Sequence, residues 1–451
     1  MREAQIETNE LKKENLGIFE TLALSVAMMG PSASISITIL LMVLYTGYSA
    51  PLVYLLSMIA VGLVSVSVIK LNRYFPSSGS VYSFAEKILG RRVGFLSGWL
   101  IIFTYLMLGI SCAAVASSDL QALFEVFDIR IHWIFFALLI MALVWYINGR
   151  NAEVNTRLLL VLEIFSMIII LVLSITIIIK TAATTGLSTA PLRFGKNSPF
   201  SLAAATVFGF LGFSGFEGAS SLGEESKNPN KTIPLSVTVA VVFSGIFYII
   251  VSYAQILGFG VTKAGMDTLL NSDIPLADLM SKYLPDGFAL AVTICIIISF
   301  FSVSVGCVSA GARILYTMGR DGMLSRALYK INSKRHTPSA GINLLVGVSL
   351  LIFAVCFRTT ALNVGQYTAT VGSLAMLLTY LLATVCAIVF FNKNKIWNGV
   401  KLILPVISIC ILVFVFLLNI YPVPEYPMNL IPYSVILWVL IGIGLSFRVK
   451  H

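Results

Sequence analysis

An apolar run close to the roughly 20 residues that carry a helix across ~30 Å of hydrocarbon recurs twelve times in this chain. That repetition constrains the fold more than any other feature. The runs fall at 20–46, 51–71, 94–118, 132–148, 156–180, 199–224, 234–260, 287–315, 341–357, 365–391, 400–420 and 430–447, numbered here as spans 1 to 12. Composition agrees, with 58% hydrophobic and 11% charged residues, where a soluble chain carries about 25% charged. Since a lipid-spanning backbone must satisfy its own polar groups, the expected fold is an all-α polytopic membrane protein with 12 transmembrane helices. Residues 1–20 are polar and charged, and the first run lacks the short form of a cleavable signal peptide, so span 1 is expected to remain in the mature chain.

The net charge of +10 invites a nucleic-acid reading, but the basic residues sit in short links between apolar runs. With an even number of spans both termini share a side. The terminus-side segments hold 23 Lys and Arg and the opposite links hold 7. By the positive-inside rule both termini are then cytoplasmic, as expected of a plasma (inner) membrane protein, and no nucleic-acid partner is implied. The longest terminus-side link, Gly319–Ala340, carries Arg320, Arg326, Lys330, Lys334 and Arg335; a lipid or partner site there competes with plain topology.

Cys112, Cys295, Cys307, Cys356, Cys386 and Cys410 all lie in apolar runs without a CxxC pair, and read as small core residues. His132, His336 and His451 have no ligand-spaced partner, so neither a metal nor another cofactor is expected.

Two spans are interrupted at mid-depth. Span 1 contains Met29, Gly30, Pro31, Ser32, Ala33 and Ser34, and Pro31 removes a backbone donor and clashes with the preceding turn. Span 6 places Gly209, Gly212, Gly215 and Gly218 at three-residue spacing, with Phe213, Ser214, Phe216 and Glu217 among them, which weakens a helix. A packed proline kink and close glycine-mediated helix packing are the competing readings. Position favours a site, because breaks five spans apart mark two inverted five-helix repeats whose broken helices meet at the midplane. Half-helix N-termini suit a carboxylate, and unwound carbonyls suit an ammonium or a cation.

Only Glu163 and Glu217 are acidic residues well inside the spans. An ionised side chain there costs at least ~2.5 kcal/mol, which makes both candidates for proton coupling. For Glu217 the rival role is an anchor that holds the break in span 6 open. For Glu163 the rival is a pairing with a polar neighbour or with Arg157. Glu224 and Glu225, at the terminus-side end of span 6, are expected to be solvated or to gate. Ser299, Ser302 and Ser304 of span 8 could join span 1 carbonyls around sodium, or simply line helix contacts.

The stretch Phe213–Pro234, FSGFEGASSLGEESKNPNKTIP, resembles the sixth helix and following loop of the amino acid–polyamine–organocation (APC) permease superfamily. Ala312–Pro338, ARILYTMGRDGMLSRALYKINSKRHTP, resembles its eighth helix and cytoplasmic loop, and Phe75–Arg92, FPSSGSVYSFAEKILGRR, is similar to its link between spans 2 and 3. The resemblance implies a five-plus-five inverted repeat with broken helices 1 and 6, and alternating access around a site between helices 1, 3, 6, 8 and 10. In this chain the divisions would be a cytoplasmic segment 1–19, repeats at 20–180 and 199–391, accessory spans 11 and 12 at 400–447, and a tail 448–451. By motif position the substrate carboxylate would lie near Ser32, Ala33 and Ser34, its amino group near Met29, Phe213 and Ser214, and Phe216 would resemble the family's aromatic gate. One departure stands out. Several proton-coupled relatives have a lysine in the fifth helix, whereas this chain has none between Arg157 and Lys180 and offers Glu163 instead.

The expected function is secondary transport of a neutral amino acid coupled to protons. The alternative is exchange or import of a cationic amino acid or polyamine, since span 3 carries no acid between Gly94 and Ser118 but Glu217 could serve as a counter-charge. Channel-type charge rings and the assembled nucleophile and base of an enzyme are not evident, and a non-transporting sensor is the remaining rival.

Overall fold

The computed structural model describes residues 11, 15–195, 197–272, 274–285, 288–332, 335–396, 399–421, 423 and 426–449. Most of the segment 1–19, Lys334 and His451 therefore lie outside the described residues, as do the last two residues of the tail. The described chain is helical, with two isolated bridges as its only β pairing.

Among the described residues, nine stretches are long and apolar enough to cross a membrane. The first of these, Ile18–Tyr74, doubles back through a short turn at Gly47–Ser49 and so makes two spans. Two shorter apolar helices, Trp133–Asn148 and Ser339–Val355, complete the twelve. The helices overrun the apolar runs at several ends: span 3 occupies Arg91–Glu125 and span 5 Ala152–Thr184, because helical hydrogen bonding continues into the interface until a cap or turn ends it. Between spans 2 and 3 lies an amphipathic helix, Val81–Leu89, and the link after span 8 holds a short 3₁₀ turn, Arg326–Tyr329.

Span 3 is the central strut. It packs along both span 8, Phe288–Arg320, and span 10, Ala361–Lys393. Span 2 runs along span 7, Pro229–Phe259. Close approach is bought by small residues: a Cβ at Gly365 would lie 2.6 Å from Val115 Cγ2. Span 11, Gly399–Leu418, leans on spans 2 and 10, and span 12, Ile431–Ser446, on spans 3 and 10. Span 12 is keyed in by aromatic stacking. Trp438 stacks on Trp99 and Phe103 with ring centroids 4.2 Å apart in each case, and each indole N–H donates to the other tryptophan's carbonyl, at 3.0 and 3.3 Å.

All six cysteines are free. The core assignment fails for Cys410, which is exposed on span 11; that helix contacts its neighbours along one side only, and an apolar outer face costs nothing in lipid.

Candidate functional site

The break in span 1 is narrower than its sequence suggests. Ile18–Met29 and Pro31–Thr46 are separate helices joined only by Gly30, which adopts φ 50°, ψ 64°. That left-handed conformation suits glycine, and Pro31 is well placed at the first helical position, where its missing N–H costs nothing. Helical bonding resumes at once, with the Ser34 N–H donating to Gly30 O at 2.8 Å. Pro31, Ser32, Ala33 and Ser34 thus form the first turn of the second half-helix.

Span 6 is interrupted over a longer stretch. An α-helix, Pro199–Gly212, ends in a turn, Gly215 takes φ 96°, and Phe216–Leu222 continues as a 3₁₀ helix. The freed backbone groups have identifiable partners. Tyr248 Oη donates to Gly212 O at 2.6 Å, the Gly215 N–H donates to Tyr380 Oη at 3.4 Å, and Ser25 Oγ donates to Phe216 O at 2.7 Å while accepting from the Ala219 N–H at 2.9 Å. The two breaks meet: a Cβ on Gly215 would lie 2.9 Å from Met28 O, and one on Gly218 would lie 2.6 Å from Met28 Sδ.

Of the residues expected to hold substrate, Met29, Gly30, Pro31, Ser32, Ala33, Phe213, Gly215 and Phe216 are buried, while Ser34 and Ser214 are half-buried. Exposure follows a direction. Residues 23–33 and 216–223 are buried throughout, whereas Ser34, Leu211 and Ser214, at or beyond the breaks on the side away from the termini, keep some solvent access. The breaks are thus buried on the side toward the termini.

The carboxylates are placed by these breaks. Glu163 Oε1 accepts from the Ser32 N–H at 3.1 Å and from Ser299 Oγ at 3.0 Å, and the Ala33 N–H donates to the same serine oxygen at 3.1 Å. Glu163 is buried and its Oε2 has no hydrogen-bond partner among the described residues. The carboxylate therefore caps the positive end of the second half-helix. Arg157 is not its partner, because that exposed side chain pairs with Glu20 and Glu153 at 3.1 and 2.8 Å. Glu217, also buried, is held by two phenols, with Tyr105 Oη donating to Oε1 at 2.7 Å and Tyr380 Oη donating to Oε2 at 2.5 Å. Tyr380 also stacks on Phe216, centroids 4.9 Å apart.

Ser299 is thus engaged by a backbone N–H and a carboxylate rather than by a span 1 carbonyl. The hydroxyls of Ser302 and Ser304 are buried without partners among the described residues. No group of three or more His, Cys, Asp and Glu residues able to hold a metal occurs among the described residues.

Glu224 and Glu225 behave differently from each other. Glu224 is a half-buried bidentate partner of Arg320, at 2.7 and 2.9 Å. The solvated reading is wrong for Glu225, which is 2% exposed and pairs at 2.5 Å with Arg313, itself 4% exposed. Its backbone carbonyl also accepts from the Asn15 and Leu16 N–H groups, both at 2.9 Å. The segment before span 1 thereby clips onto the loop after span 6.

Tyr105, Tyr248, Tyr380, Ser25 and Arg313 were not singled out by sequence reasoning. A signal existed, because a tyrosine inside an apolar span carries a hydroxyl that needs a partner once buried, yet nothing local says which one.

A bundle of spanning helices with paired breaks, and with backbone groups and carboxylates converging on them, is the architecture of a secondary transporter. The chain belongs to the amino acid permease family, whose model matches residues 16–445, as the resemblance to the wider APC superfamily implied. It is 26% identical over 330 residues to the low-affinity putrescine importer PlaP of Escherichia coli, covering 71% of this chain and 70% of that protein. It is 22% identical to the branched-chain amino acid permease BcaP of Lactococcus lactis, covering 70% and 71% of the two chains. Among solved structures, a mutant of the Eremococcus coleocola manganese transporter superposes with a TM-score of 0.55 at 14% identity over 97% of each chain, a likeness of fold alone.

Proposed function

We propose that this integral membrane protein is a secondary active transporter of the plasma membrane, taking up a neutral amino acid by alternating access with Glu163 coupling uptake to protons. The halves 20–180 and 199–391 act as the inverted repeats that rock about the site. One observation carries the reading: Glu163 Oε1 sits on the Ser32 N–H, where the carboxylate of a bound amino acid would go. A half-helix N-terminus favours one negative charge, and two carboxylates sharing it repel each other. Protonation of Glu163 relieves that repulsion and frees the Ser32 N–H, so substrate and proton enter together. Glu217 serves as the anchor of the broken span, since both its oxygens are already taken by tyrosines.

A cationic amino acid or a polyamine is the second reading. It is favoured by the unpartnered Glu163 Oε2, which could receive an ammonium, and by the similarity to a putrescine importer. Sodium has less support, because Ser299 is committed to Glu163 and Ala33.

Uptake into proteoliposomes tests these readings. The parent should accumulate labelled neutral amino acids when the outside is made acidic, and Glu163→Gln should transport without responding to the pH gradient. An undiminished response in Glu163→Gln rejects the proton role; accumulation of putrescine or arginine alone selects the second reading; dependence on a sodium gradient rejects both couplings.

A further inference from the structure

We propose a binding site for one anionic phospholipid at the terminus-side ends of spans 3 and 12, independent of the transport site. A cavity of about 490 Å³ lies there, between Arg91 and Phe95 of span 3, Met323 and Ser325 of the link after span 8, and Leu445 and Arg448 at the end of span 12. Its depth matches the boundary between headgroups and acyl chains. Arg91 is the first residue of its helix, Arg448 follows the last turn of span 12, and Phe95 and Leu445 stand about one helical turn deeper. Two guanidinium groups at the rim above an apolar floor suit a molecule that carries its phosphate on top of hydrocarbon.

Arg448 is open to a ligand and Arg91 is partly so. Arg91 donates through one terminal nitrogen to Asp321 O at 3.0 Å, which orients the group, while its Nε is buried without a partner among the described residues. No described acid pairs with Arg448, and neither Asp321 nor Glu86 lines the cavity; the Asp321 carboxylate is engaged by Tyr82 and Arg320. Arg92 adds a third positive charge beside the rim, stacked over Phe447 at 5.3 Å. Guanidinium forks bind phosphate oxygens two at a time, and basic pockets between spanning helices capture anionic headgroups. The arginines of this face, counted above as topology signals, thus gain a specific ligand.

The full-length protein, purified in neutral detergent, should bind phosphatidylglycerol in native mass spectrometry far better than phosphatidylcholine. Affinity should fall roughly fivefold in Arg448→Gln and again in the double variant with Arg91→Gln, in line with the usual contribution of each basic residue near a charged surface. Arg448 is exposed and its side chain makes no hydrogen bond or ion pair among the described residues, so the single variant tests the site even if Arg91→Gln misfolds. Equal binding of the two lipids, or unchanged affinity in Arg448→Gln, overturns the proposal. Inorganic phosphate competing as well as the lipid headgroup does would overturn it too, by showing a free-anion site.

Discussion

At Glu217 a buried carboxylate is satisfied by two phenolic hydroxyls, one from span 3 and one from span 10, so three elements share one charged group. Hydrogen bonds to a charged acceptor are stronger than neutral ones, and a buried donor left unpaired costs ~1–3 kcal/mol. Glu217→Ala strands both hydroxyls and leaves a cavity, and should lower thermal stability by several degrees, whereas Tyr105→Phe strands one carboxylate oxygen while Tyr380 still holds the other, and should cost less. Scanning fluorimetry of the purified variants checks the order. If the two variants melt alike, Glu217 is not the anchor. Glu163 is built the opposite way, with one oxygen held and one left over. That asymmetry is why its substitution should alter coupling while that of Glu217 alters the fold.

The elements that carry the site are the two interrupted spans, and their glycines are not equivalent. Gly215 combines a left-handed φ of 96° with a Cβ position 2.9 Å from Met28 O, so any side chain is both strained and blocked by backbone. Gly62, on span 2, has nothing within 4 Å of its Cβ position. Gly215→Ala should therefore abolish uptake or expression, while Gly62→Ala should be neutral or stabilising by up to ~1 kcal/mol through helix propensity. Surface expression together with uptake reads both; a Gly215→Ala protein that transports like the parent would mean that the turn after Gly212 can be rebuilt elsewhere. The run of four glycines in span 6 announced a weak helix but not this difference. Gly209 faces the Ser57 side chain, with a Cβ position 2.0 Å from its Oγ, and Gly212 has room around it. Spacing alone does not distinguish a glycine that lets two helices approach from one that turns the chain.

Across the whole molecule, the terminus-side ends of spans 1, 6 and 8 are tied together by the buried Glu225–Arg313 pair and by the segment Asn15–Leu16 bonded to the same loop. Arg313 also donates to Ser309 O and Oγ, at 2.9 and 2.6 Å, so removing Glu225 leaves a buried cation only partly satisfied. Losing one member of a buried pair costs ~3–5 kcal/mol, and that cost falls on the closed state alone if water reaches the pair when the face opens. Glu225→Gln should shift the protein toward the state open to the termini. In a cysteine-less background, a Ser309→Cys reporter should then react faster with an impermeant maleimide supplied from the terminus side; an unchanged rate would show that the pair does not hold the gate.

Hydropathy, proline and glycine placement are local properties, and they sufficed to read the twelve spans, the two breaks and the two carboxylates stranded in apolar runs. They also announced that each buried polar group must have a partner, because an unpaired one is costly in lipid. Which partner it finds is decided by the tertiary structure. Glu163 meets Ser32 across 131 residues, Ser299 across 136, and Glu217 meets Tyr380 across 163. No period of a helix encodes such separations. The packing of spans 3, 5, 8 and 10 around the breaks chose the pairs, turning an expected open binding end at Ser32 into one already capped by the protein's own carboxylate.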